Sequence, residues 1–126
     1  MRTRPDTGPL HVPSLTAEER DLLMPELVDW VDRLIDRFTI DARTIPPCWG
    51  RHNAHVEALA ALRDYERGSF AGDADPRSGV DWLRAVREIR SLLVDFAALT
   101  QCSVQQHRDP PPRLTTPHGD PHFGRA

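Results

Sequence analysis

Lysine is missing from this chain: all sixteen cations are arginine. The bias fits coding in a GC-rich genome and carries little functional weight. Against nineteen acidic residues it leaves a formal net charge of −3 and a pI near 6.0. That mild acidity argues against a protein that coats nucleic acid or anionic membrane by charge alone. Long apolar runs are missing too. None approaches the ~20 residues needed to cross a bilayer, and no apolar stretch of signal-peptide type opens the chain. A cytoplasmic protein is the expectation. No segment alternates apolar and polar residues with the period of two that marks a sheet, and there is no internal repeat. No nucleophile elbow, Walker loop or HExxH helix is present. The balance is against an enzyme, and no catalytic residue stands out.

Cysteine is scarce: Cys48 and Cys102 are the only two. In a reducing compartment such a pair reads as thiols or metal ligands in preference to a disulfide. Each has a histidine about one helical turn downstream, in Cys48-x3-His52 and Cys102-x4-His107. This is the ligand set and local spacing of a Cys2His2 zinc site. Two thiolates would neutralise a divalent ion, so such a site can be buried without net charge. His55 is a spare donor near His52. Trp49, next to Cys48, is placed to shield a metal from water. The alternative is that both cysteines are small buried hydrophobes and the histidines are solvated or satisfied polar groups. Two-ligand pairs are far less specific than CxxC…CxxC, and spacing alone leaves both readings open.

What remains is strongly helical. Hydrophobic content is 39%, and much of the shortfall sits at the two ends. Residues 1–13 and 108–126 are rich in Pro, Gly, Arg and Asp and have almost no apolar periodicity, so both are expected to be disordered tails. The region 14–107 is one helical domain of a size that folds alone but often benefits from a staple. Thr16-Ala17-Glu18-Glu19 is a capping box that opens a short helical stretch to about Met24. Pro25 suits the first turn of a new or kinked helix. From there Leu27, Trp30, Val31, Leu34, Ile35 and Phe38 recur on one face. Pro46-Pro47 forbids helix there and favours an extended path. Asn53 is the expected cap of the next helix, with Val56, Leu59, Leu62 and Tyr65 inward and Gly68 as its stop. After a loop over 68–78, Ser78-Gly79-Val80-Asp81 reads as a second capping box. It opens a helix over 79–101 with Trp82, Val86, Ile89, Leu93, Phe96 and Leu99 inward. The expected fold is all-α, a small bundle of three to four helices.

Helical rise gives the metal hypothesis a length check. If the last two helices form an antiparallel hairpin, Cys102 lies about 36 Å from the loop and His52 about 24 Å. An extended 48–52 segment could put Cys48 up to about 37 Å out. The segment therefore brackets Cys102, provided the chain curls back at Trp49-Gly50, where glycine permits a bend.

The order Trp30…Ile45-Pro46-Pro47-Cys48-Trp49-x2-His52, then Val56-Glu57-x-Leu59-x2-Leu62, Asp81-Trp82 and Cys102-x4-His107, resembles an uncharacterised helical family of actinobacteria. That family is often encoded near plasmid, conjugative-element or phage genes. The resemblance covers about residues 26–108, and the Pro-Pro-Cys-Trp-x2-His segment is its most specific part. It implies that the four Cys and His positions belong together as structural zinc ligands. It brings no activity with it. The acidic 68–78 loop departs from the family pattern.

Two charged surfaces complete the inventory. Asp29, Asp32, Arg33, Asp36 and Arg37 read as an exposed helix face with i, i+4 pairing such as Asp29–Arg33, in preference to a Mg2+ site. Arg84, Arg87 and Arg90 step along the last helix, with Arg63 and Arg67 expected on its neighbour, and such a stripe could contact phosphates. Acidic residues interrupt it. The first expectation is thus a zinc-stabilised accessory protein that binds a protein partner in a mobile-element or phage setting. The second is a DNA-binding or regulatory protein using the arginine stripe. The third, more remote, is a metal-dependent hydrolase with Glu57 as base, which requires His107 to leave the ligand set. The Pro110-Pro111-Pro112 run in the expected tail is compatible with partner binding, and His118 and His122 there are spaced i, i+4 around Pro121.

Overall fold

The computed structural model of the chain describes residues 9–110. His118, His122, Pro111 and Pro112, and the tails at 1–8 and 111–126, lie outside the described residues. Among the described residues there are three α-helices, two short 3-10 turns and no strand. The helices are α1 (Ala17–Phe38), α2 (Asn53–Ser69) and α3 (Ser78–Thr100).

Helix α1 begins as its sequence dictates. The Thr16 hydroxyl accepts from the Glu19 amide at 3.0 Å and Glu19 Oε1 accepts from the Thr16 amide at 2.9 Å. These two bonds satisfy donors that a helix N-terminus leaves free. The helix does not restart at Pro25. It runs through, so the expected break between two short helices becomes one continuous element. Pro25 removes only the bond to the Asp21 carbonyl, and both residues are exposed. The apolar stripe continues across the proline through Leu23, Leu27, Trp30, Val31 and Leu34, all buried. Burial on both sides of the proline favours one continuous helix. The helix ends at Thr39, whose left-handed backbone (φ 51°) turns the chain out of the helix.

Two other caps differ from the sequence reading. Asn53 is already inside α2, with His52 as N-cap, and the Asn53 side chain donates to Glu57 at 2.7 Å. The box at Ser78–Asp81 does not form. Asp75 Oδ1 instead accepts from the Arg77 amide at 2.7 Å and the Asp75 carbonyl from Ser78 at 2.8 Å. That turn makes Arg77 the N-cap, with Ser78 already helical.

The core forms where the three helices meet. Leu27, Val31 and Leu34 of α1 face Val56, Leu59 and Leu62 of α2 and Trp82, Val86 and Leu93 of α3. Phe38 meets Trp82 edge-on at 6.3 Å. Trp30 Nε1 donates to Glu66 at 2.9 Å, and Arg37 donates to the other oxygen of the same carboxylate at 2.8 Å. One glutamate thus ties α1 to α2 while the Trp30 ring is largely buried. Tyr65 and Leu99, expected inward, are exposed. Each sits in the C-terminal part of its helix.

The expected tail over 1–13 needs correction at its inner end. Val12 is buried in a 3-10 turn over Val12–Ser14, Leu10 packs against the core, and the Leu10 amide donates to Asp64 at 2.9 Å. Val12 and Leu10 are apolar enough to join the core despite their Pro-rich neighbours.

Candidate metal centre

The segment after α1 is built to return the chain to the helix ends. Asp41 Oδ1 accepts from both the amide and the hydroxyl of Thr44, at 3.0 and 2.9 Å. Those bonds, with Thr44 first, hold the Asp41 carboxyl below its ordinary range. Ile45 and Pro46 are buried beyond this turn. The Trp49 amide then donates to the Pro46 carbonyl at 2.9 Å, starting a 3-10 turn over Trp49–Arg51. Trp49 is buried and anchors the turn. The tight winding brings Cys48 Sγ within 3.5 Å of His52 Nε2.

The second pair is shaped by the end of α3. Gln101 adopts the left-handed conformation (φ 58°) that closes the helix, and Cys102 leaves it buried. Ser103 then organises a turn, its hydroxyl accepting from the amides of Gln105 and Gln106, each at 3.2 Å. His107 is thereby folded back on Cys102, with Nδ1 3.9 Å from Sγ.

Because the N-terminus of α2 lies beside the C-terminus of α3, the two pairs converge. His52 Nε2 is 3.3 Å from Cys102 Sγ, and the His52 and His107 rings are 4.9 Å apart. One donor atom from each of Cys48, His52, Cys102 and His107 lies within 4.8 Å of every other. A zinc tetrahedron with Zn–S near 2.3 Å and Zn–N near 2.0–2.1 Å has donor–donor edges of about 3.3–3.8 Å. The Cys–His separations of 3.3, 3.5 and 3.9 Å nearly match those edges. All four residues named from sequence are brought together. The spare donor is not among them: His55 is buried and its Nε2 is 2.9 Å from the Thr44 carbonyl.

The surroundings suit metal ligation. Burial, then the charges of His107 and His55, lowers the His52 pKa, which keeps the imidazole neutral as a ligand must be. Burial pushes the Cys102 thiol up. The Thr100 hydroxyl, the backbone contact to Arg108, Cys48 and the Arg108 charge outweigh it, so the net direction is down. The Arg108 amide donates to Cys102 Sγ at 3.1 Å, a bond that favours thiolate. Cys48 moves the other way, raised first by burial and then by Cys102.

His107 Nε2 lies 2.7 Å from Asp109 Oδ1. A carboxylate on the far nitrogen fixes the tautomer that offers Nδ1 to a metal, the outer-shell arrangement common to ligating histidines. Sequence reading placed Asp109 in a tail, and His-x-Asp spacing is too common to have flagged it. The Arg108 amide was equally illegible, because any residue can supply a backbone N–H.

The arginine stripe fares differently. Arg84 pairs with Asp81 at 3.4 Å, Arg63 with Glu26 at 3.1 Å, and Arg90 donates to the Phe38 and Thr39 carbonyls at 3.3 and 3.4 Å, capping α1. Arg33 pairs with Asp29 at 2.8 Å on an exposed face, as the i, i+4 reading expected. No described helix is long and apolar enough to cross a membrane. Comparison with family models, curated proteins and solved structures found no match to this chain.

Proposed function

We propose that this is a small helical accessory protein clasped by one structural zinc ion on Cys48, His52, Cys102 and His107, and that it acts by binding a protein partner. The observation that carries the reading is the convergence of four donor atoms, drawn from two segments far apart in sequence, to within 4.8 Å. Four protein ligands leave no open coordination position, the mark of a structural site as opposed to a catalytic one. Glu57, the base a hydrolase reading would need, is hydrogen-bonded to Asn53. The clasp joins the turn before α2 to the turn after α3. With nothing catalytic at the ion, action falls to the surface that the clasp holds in shape. The mobile-element or phage setting rests on the family resemblance carried by Pro46-Pro47-Cys48-Trp49-x2-His52.

The DNA-binding alternative loses ground because two of its three arginines are already engaged, Arg84 by Asp81 and Arg90 by the end of α1. Elemental analysis of purified protein should find close to one zinc per chain, and chelator should lower the melting temperature sharply. Protein without metal, with a melt indifferent to chelator and a Cys102→Ala variant that folds normally, sinks the clasp.

A further inference from the structure

The outer side of α3 is not uniformly polar. Leu83 and Val94 are 54% and 48% exposed. They border two hollows of about 430 Å³ each that share Val94. Phe38, at the end of α1, closes one side of the first hollow, and Arg43 closes the second. Together they make a shallow apolar trough along α3 from Leu83 to Ala98, about 22 Å at 1.5 Å per residue. Its charges are of one sign. Arg87 and Arg90 flank the first hollow and Arg43 the second, and no carboxylate among the described residues lines either. Asp41 acts on Arg43 from outside the trough, and Arg90 is spent on carbonyls. Arg87 forms no salt bridge among the described residues.

In a chain of net charge −3, a cationic trough with an apolar floor is a local reversal that calls for an anionic, amphipathic occupant. The chain's own ends do not supply one, because residues 1–8 and 111–126 each carry two arginines against one aspartate. Duplex DNA matches the charge but leaves Leu83, Val94 and Phe38 without apolar contact. We infer that this trough is the docking site for an acidic amphipathic helix of a partner protein, its apolar residues on Leu83 and Val94 and its carboxylates on Arg87 and Arg43. This deepens the partner-binding reading above and rests on it. An amphipathic helix laid in an apolar groove is a recurrent recognition mode, and a helix of about fifteen residues spans this length.

The test uses the full chain as purified and a synthetic peptide of about fifteen residues, with leucines at helical spacing and flanking glutamates. Fluorescence anisotropy should show saturable binding, weakened about tenfold or more by Arg87→Glu or Val94→Glu and unchanged by Arg33→Glu. A peptide with lysine for glutamate should prefer the Arg87→Glu protein. Circular dichroism and melting of each variant establish that it is folded. No saturable binding overturns the proposal, as does equal binding of a shuffled peptide or an equal loss in Arg33→Glu. Short duplex DNA that binds more tightly than the peptide and is lost with Arg87→Glu assigns the face to nucleic acid instead. Self-association relieved by Val94→Glu assigns it to a second copy. Zinc content separates this from the clasp: metal-bearing protein that ignores the peptide overturns only the trough, and metal-free protein that binds it overturns only the clasp.

Discussion

At the scale of single residues, the side chains nearest the candidate metal divide by what their second polar atom touches. His107 presents Nδ1 to Cys102 because Asp109 holds Nε2. Asp109→Asn should leave the fold intact but weaken zinc binding by about 10–100-fold, read by competition with a chromogenic chelator; unchanged affinity would show that Asp109 is an exposed bystander. His55 is a different case. Burial holds its pKa below the ordinary 6.5, outweighing the Thr44 carbonyl, which raises it. The unfolded chain therefore takes up a proton on this ring before the folded one does. Its contribution to stability should be flat above neutrality and fall as pH drops below about 6.5, where the unfolded imidazole protonates. Urea melts across that range should show the slope, and His55→Gln should reduce it in protein stripped of metal, where ligand protonation by competition with zinc no longer contributes.

At the scale of elements, local signals and burial compete, and burial decides where it is large. Pro25 signals a break, yet α1 passes through it because the stripe from Leu23 to Leu34 is buried on both sides. A proline in a helix interior costs about 3 kcal/mol or more when it removes a bond and crowds the preceding turn. Pro25 is exposed, so Pro25→Ala should stabilise the protein by about 1–3 kcal/mol, seen as a higher urea midpoint at unchanged slope. A loss of stability would mean that the ring is part of the packing. The capping box at Thr16 formed as read, because both of its partners are three residues apart in sequence. The box at Ser78 did not, because Asp75 captured the turn just upstream. Helix periodicity located the inward faces of α1, α2 and α3 well, missing only Tyr65 and Leu99 near the C-terminal ends of α2 and α3.

At the scale of the molecule, the core and the candidate metal centre lie at different places. The apolar core joins all three helices, whereas the Cys/His cluster joins the turn before α2 to the turn after α3. Chelator should therefore act unevenly. Amide exchange should accelerate first around Cys48–His52 and Cys102–Arg108, with the buried centre of α1 near Leu27 to Leu34 protected until global unfolding. Uniform acceleration across α1 would show that the metal supports the whole fold in a single step.

Helical class, α2, α3 and most of the buried faces follow from the sequence, because amphipathic periodicity acts over a few residues; the unbroken run of α1 through Pro25 does not. Cys48-x3-His52 and Cys102-x4-His107 also follow, as two local pairs. Only the tertiary structure decided that the pairs meet, that His55 turns away to Thr44, and that Asp109 stands behind His107. It also decided that Arg84 and Arg90 are occupied while Arg87 borders an apolar trough. Those facts depend on how α2 and α3 lie against one another and on where the chain turns at Pro46 and Gln101. Contacts across 50 residues of sequence, such as His52 with Cys102, leave no periodic trace in the chain that makes them.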